Sequence, residues 1–115
     1  MNIGTDITEI SRFENLNDNF FKKVFTEYER SYCDSKAVQK YASFAGIFSA
    51  KEAFSKAVGT GVRGFNLNEV EIKHNDLGAP YVVLYGRANE LFNKMNFSVS
   101  ISHSGEYALA SVISY

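Results

Sequence analysis

Asp6, Glu52 and Lys56 are the side chains of this sequence best suited to phosphate chemistry. Asp6 follows Gly4-Thr5, where a short apolar strand over 1–5 is expected to give way to a helix from about Thr8. There its carboxylate either caps the helix start through free N–H groups or serves as a firmly held ligand for a hard cation. Glu52 and Lys56 lie four residues apart in Phe48-Ser49-Ala50-Lys51-Glu52-Ala53-Phe54-Ser55-Lys56-Ala57, so a helix places them on one face. A plain surface ion pair between them would be worth only ~0.3–0.5 kcal/mol. Phe48 precedes Glu52 on the same row, however, and Phe54 and Ala57 occupy neighbouring faces. A charged pair on a mostly apolar helix needs a polar cavity, a partner or a ligand beside it. Carboxylate and ammonium together suit phosphate: the first holds Mg²⁺ and the second neutralises phosphate charge.

Other residues read two ways. Gly59-Thr60-Gly61-Val62-Arg63-Gly64 is either a backbone cradle for an anion, with Arg63 adding charge, or a plain helix-to-strand connection. Its spacing is neither that of a P-loop nor that of a dinucleotide fingerprint. His103 shares a strand face with Phe97, Val99 and Ile101, so it is a core histidine or a ligand contact. His74 ends a strand at a turn and carries no assigned role. The serines from Ser98 to Ser104 lack a Gly-x-Ser-x-Gly elbow, which disfavours a serine hydrolase. Arg12, Lys22 and Lys23 form either a solvated basic face or a surface for an acidic protein partner.

The elements that must position these groups follow from apolar spacing. Phe20, Phe21, Val24 and Phe25 mark a short helix, and Thr26 with Glu29 fits a capping box that starts another. Tyr41, Phe44, Ala45 and Phe48 form a helical stripe, extended by Phe54, Ala57 and Val58. The spacing predicts one long central helix from about Lys36 to Val58, stopped by Gly59. Beyond it, Val70 and Ile72 alternate with charges, the segment 75–78 turns, and 81–85 returns as a partner strand. A helix over 86–95 precedes two strands, 97–104 and 107–115, joined at Gly105-Glu106. Helices first and hairpins later point to an α+β fold.

Composition bounds the function. The 115 residues make one domain, and 45% hydrophobic with 22% charged residues describes a globular chain. Twelve basic against thirteen acidic residues give a net charge of -1, which argues against a nucleic-acid binder. The single cysteine, Cys33, allows no intrachain disulfide and no cysteine-rich metal motif, so a reducing cytoplasm is expected, with the thiol buried. The N-terminus lacks the basic start and apolar run of a signal peptide. The longest apolar run, Tyr81 to Tyr85, is far too short to cross a membrane.

In order along the chain stand Gly-Thr-Asp-Ile at 4–7, Phe-Ser-Ala-Lys-Glu-Ala-Phe-Ser-Lys-Ala at 48–57, Gly-Thr-Gly at 59–61 and Ser-Ile-Ser-His-Ser at 100–104. With Val-Phe-Thr-Glu at 24–27 and Asp-Leu-Gly-Ala-Pro-Tyr at 76–81, this set resembles the 4'-phosphopantetheinyl transferases from Ile3 to Val112. The likeness is to their small, homotrimeric holo-acyl-carrier-protein synthase branch. It implies a long central helix packed on an antiparallel sheet. It also implies transfer of the phosphopantetheine arm of coenzyme A to a serine of apo acyl carrier protein, in fatty acid biosynthesis. Asp6 and Glu52 would bind Mg²⁺, or Mn²⁺ in its place, and would form the catalytic set with Lys56. Lys56, Gly59, Gly61, His103 and Ser104 would contact coenzyme A, and Arg12 the carrier protein. Each site would lie between subunits, with His103 from one chain and Asp6, Glu52 and Lys56 from its neighbour. Two departures stand out: Ile47 replaces an arginine of many relatives, and Thr5 a common aliphatic residue. A nucleotide phosphohydrolase using the same carboxylates, and an inactive coenzyme A or carrier-protein binding module, are the competing readings.

Overall fold

The computed structural model describes residues 1–61 and 63–115; Val62, within the glycine segment, lies outside the described residues. The central element is helix α3, Lys40–Ala57. Phe44, Ala45, Ile47, Phe48, Ala50, Ala53, Phe54 and Ala57 are all buried, so α3 is apolar around most of its circumference and must be covered on several sides. Phe44 packs edge-on to Phe21 and Phe25, with ring centroids 4.8 and 4.9 Å away. Helix α3 begins at Lys40 rather than Lys36, because Ala37 adopts a left-handed φ of 53° and a 3₁₀ turn occupies Ala37–Gln39. It ends where expected, with Gly59 left-handed at φ 81°.

Two short helices pack before it: α1, Asp18–Val24, and α2, Glu27–Asp34. The capping box is present: Glu29 N–H donates to Thr26 Oγ1 at 3.2 Å, and Thr26 N–H donates to Glu29 Oε1 at 2.9 Å. Strands β1 (Asn2–Glu9), β4 (Phe97–Ser104) and β5 (Tyr107–Ser114) form an antiparallel sheet in the order β1-β5-β4. Strands β2 (Val70–His74) and β3 (Pro80–Leu84) make a separate hairpin, followed by helix α4, Gly86–Phe92. This is the expected α+β arrangement of a long helix on an antiparallel sheet.

The N-terminal reading needs correction. Strand β1 does not stop at Thr5. It pairs along its whole length with β5, from Asn2↔Ser114 to Glu9↔Tyr107, and a 3₁₀ turn over Ile10–Glu14 replaces the expected helix. The helical spacing of Ile7, Ile10 and Phe13 was outweighed by the ladder that β5 offers, since each β1 residue finds a partner there. Asp6 therefore sits within a strand and caps no helix. Strand periodicity turns Gly4, Asp6 and Thr8 toward α3 and Ile3, Thr5 and Ile7 away from it. Gly4 makes the close approach: a Cβ there would overlap the Ala53 carbonyl oxygen and lie 2.6 Å from the Ala57 nitrogen. No helix among the described residues is long and apolar enough to cross a membrane.

Candidate active site

Pressing β1 against α3 brings Asp6 to the C-terminal half of the helix. Lys56 reaches across and donates to the Thr5 carbonyl at 2.8 Å and to Asp6 Oδ1 at 3.3 Å, fifty residues away in sequence. The i,i+4 spacing suggested Glu52 as its ion-pair partner; among the described residues the close pair is with Asp6 instead. The Lys56 side chain remains 55% exposed while that of Asp6 is 18% exposed, so the ammonium covers the carboxylate from the solvent side.

Glu52 is half-buried beside them. Burial pushes its carboxyl above the usual carboxylate range, and the Asp6 charge pushes it further the same way. Lys56 and Arg12 pull it back. Four charged groups thus share one electrostatic neighbourhood: two carboxylates repelling each other and two cations restraining them. A pair of hard oxygen donors held together in this way fits a divalent cation that takes its remaining ligands from phosphate and water. Among the described residues no cluster of three or more acidic, histidine or cysteine side chains offers a complete protein cage.

Beneath Asp6 lies a chain of hydroxyl groups. Thr8 Oγ1 donates to Asp6 Oδ2 at 3.1 Å, and Ser49 Oγ donates to Thr8 Oγ1 at 2.8 Å. Neither hydroxyl was singled out from the sequence, where Thr8 marked only the expected helix start and Ser49 lay within the central helix. Arg12, in the 3₁₀ turn after β1, is exposed and lies over the Phe48 ring, 5.0 Å from its centroid. With Ile7, Thr8, Glu9 and Tyr107 it lines an open groove of about 480 Å³ next to the carboxylates. Lys22 and Lys23 occupy the last turn of α1.

The other candidates are placed differently. His103 lies near the opposite end of α3, its Nε2 donating to the Ala42 carbonyl at 2.8 Å. From Ala42 to Glu52 is ten residues of helix, about 15 Å. Within one chain, His103 does not meet Asp6, Glu52 and Lys56. It lines a cavity of about 190 Å³ with Tyr32, Gly46, Ile47 and His74. Ile47 is itself buried. Ser104 ends the same strand, exposed and on the opposite face to His103. Gly59 and Gly61 do sit beside Lys56, but their N–H groups donate back to the helix, to the Lys56 carbonyl at 3.1 Å and the Ser55 carbonyl at 3.2 Å. These two N–H groups close the helix end.

The sequence also concealed a buried ion pair. Lys51 and Glu29 are fully buried and 2.8 Å apart. Lys51 also donates to the carbonyls of Leu67 and Val70 at 2.9 and 2.7 Å, and Ile72 N–H donates to Glu29 Oε2 at 2.7 Å. Burial pushes the Glu29 carboxyl up and the Lys51 ammonium down, each opposed by the charge of the other, and the pair with its hydrogen bonds ties α2, α3 and β2 together. The only available signal was a lysine flanked by Phe48 and Phe54 on an apolar helix. Cys33 is buried as expected, and burial pushes its thiol far above the usual cysteine value.

Residues 2–112 match the family model described as the 4'-phosphopantetheinyl transferase superfamily. The holo-[acyl-carrier-protein] synthase of Ruminiclostridium cellulolyticum is 44% identical over 118 residues, covering 96% of this chain and 88% of that protein. The crystal structure of the Helicobacter pylori synthase in complex with coenzyme A superposes with a TM-score of 0.86 at 30% identity, covering 98% of this chain and 99% of that one. The Bacillus anthracis synthase structure, in complex with CoA (3',5'-ADP), gives 0.83 at 36% identity over 98% and 94% of the two chains. A strand-borne aspartate facing a helix-borne glutamate and lysine, in a fold and a sequence shared with these proteins from end to end, places the chain in the 4'-phosphopantetheinyl transferase superfamily.

Proposed function

We propose that residues 1–115 act as a single Mg²⁺-dependent transferase domain that moves the 4'-phosphopantetheine group of coenzyme A onto a serine of apo acyl carrier protein, in the cytoplasm and in the service of fatty acid synthesis. The observation that carries this reading is the meeting of Asp6 with Lys56 and Glu52 on facing elements of a family member. The serine oxygen forms a bond to the pyrophosphate phosphorus nearest the pantetheine. The bond from that phosphorus to the bridging oxygen breaks, and adenosine 3',5'-bisphosphate leaves. The serine proton passes to Glu52, directly or through a water.

Asp6 and Glu52 would hold the divalent ion, Mg²⁺ or Mn²⁺, which when bound neutralises charge on the pyrophosphate. Lys56 places its ammonium on the same oxygens from the solvent side. Gly59 and Gly61 offer a bare surface next to Lys56 over which the substrate can lie. His103 and Ser104, remote from Asp6 within one chain, would complete the coenzyme A site of a neighbouring subunit in a homotrimer. Arg12, exposed beside the groove, would meet the acidic carrier protein.

The test is to mix the protein with coenzyme A, Mg²⁺ and an apo carrier protein and to weigh the carrier by mass spectrometry. A gain equal to the phosphopantetheine arm is the expected result. Nucleotide or phosphate release without an acceptor would replace this reading with a phosphohydrolase, and binding without turnover would replace it with a binding module.

A further inference from the structure

The two hydroxyl groups behind Asp6 form a chain whose polarity is dictated by its end. An ionised carboxylate only accepts, so Thr8 must give its single hydroxyl proton to Asp6 Oδ2, at 3.1 Å. Thr8 Oγ1 is then left with lone pairs, and Ser49 supplies the proton they accept, at 2.8 Å. Ser49 had a local alternative. A serine inside a helix commonly turns its hydroxyl back onto the carbonyl four residues earlier, as Ser55 does here to Lys51 at 3.0 Å. Ser49 instead points out of α3 toward β1. Both residues are buried, Ser49 at 0% and Thr8 at 5% exposure, so water does not compete for the Ser49–Thr8 bond, while the Thr8–Asp6 bond is part-buried. The chain also begins on the helix that carries Glu52, one turn before it, and ends on Asp6, whose charge acts on Glu52.

We propose that Thr8, backed by Ser49, is a positioning residue that fixes the Asp6 carboxylate relative to Glu52, and so sets the spacing of the pair that receives the divalent ion. The inference rests on the proposed function. Thr8 touches neither ion nor substrate; it acts by holding one oxygen of Asp6 while Lys56 holds the other. Partners of this kind, when removed, typically cost about 10- to 100-fold in metal affinity.

The experiment titrates Mn²⁺ into the folded protein with coenzyme A present and carrier protein absent, reading free Mn²⁺ by electron paramagnetic resonance. Thr8→Val keeps the shape and removes the hydroxyl; it should weaken Mn²⁺ binding by about 10-fold. Thr8→Ser should restore affinity. Ser49→Ala, which removes only the backing bond, should show a smaller loss in the same direction and serves as the primary variant if Thr8→Val does not fold. Wild-type Mn²⁺ affinity in folded Thr8→Val, or in folded Ser49→Ala if that variant has to stand in, overturns this inference alone, provided the wild type transfers phosphopantetheine. A wild type that neither binds Mn²⁺ nor transfers overturns the functional reading and this inference with it.

Discussion

Glu52 stands in an environment that works against its own charge, since burial and the Asp6 carboxylate both favour its protonated form. Its folded-state pKa lies above the unfolded value, so the folded chain binds the extra proton and loses stability as pH rises through that interval. Two outcomes follow from one substitution. Glu52→Gln should lower transfer at least about 100-fold, because the amide neither holds the cation nor takes the proton. The metal-free variant should unfold at the same or a higher temperature than the wild type near pH 7, by calorimetry. A marked drop in melting temperature would mean that the glutamate is structural. In the metal-free protein the Glu52 carboxyl should titrate above the ordinary glutamate range, and replacing Arg12, which pulls it down, should move it higher still, as read by nuclear magnetic resonance. Arg12→Ala should also raise the KM for carrier protein more than that for coenzyme A; equal effects on both would remove its docking role.

Elements matter through how closely they approach. The backbone of β1 lies on α3 because Gly4 has no side chain, and Gly4→Ala would drive a methyl group into the Ala53 carbonyl. Overpacking of this kind typically costs about 1–3 kcal/mol, and here it would also lift Asp6 away from Lys56, so denaturant midpoint and transfer rate should fall together. The Lys51–Glu29 pair sets α3 against α2 and β2 with no solvent to relieve a lost partner. Lys51→Ala should therefore destabilise by about 3–5 kcal/mol, as expected for a stranded buried charge. Lys56→Ala, at an exposed pair, should leave stability nearly unchanged while abolishing activity. A chemical denaturation series that ranks the two lysines the other way round would contradict this account.

For the molecule as a whole, the outward face of the sheet is the notable surface. Ile3, Ile7, Leu109, Ile113 and Tyr107 are exposed there, and the register sets Ile3 beside Ile113 and Ile7 beside Leu109. Ile7 alone is 63% exposed. The hydrogen-bonded Thr5–Ser111 pair lies between these two apolar pairs, and we propose this face as the trimer contact, since a shared site would bring His103 to the carboxylates it does not reach within one chain. The chain should run as a trimer by light scattering at working concentration. Ile7→Glu should dissociate it and remove transfer, while circular dichroism stays unchanged. A fully active monomer would leave the shared-site arrangement without support.

Local chemistry was legible in the chain itself. The 3.6-residue rhythm around Phe44 and Phe48, the Thr26–Glu29 box, the turn at Gly105 and the Glu52–Lys56 helix face all depend on neighbours within a few residues. What tertiary structure decided was everything set by partners far along the chain. Strand β1 runs on to Glu9, four residues beyond the end its local pattern suggests, because β5 arrives at the other end of the chain to pair with it. Lys56 bonds Asp6 rather than its helical neighbour Glu52, because Gly4 lets a strand fifty residues away lie against the helix. Thr8, Ser49 and Glu29 take on their roles only there, since the worth of a hydroxyl or a carboxylate depends on whether burial has removed water and what has been put in its place.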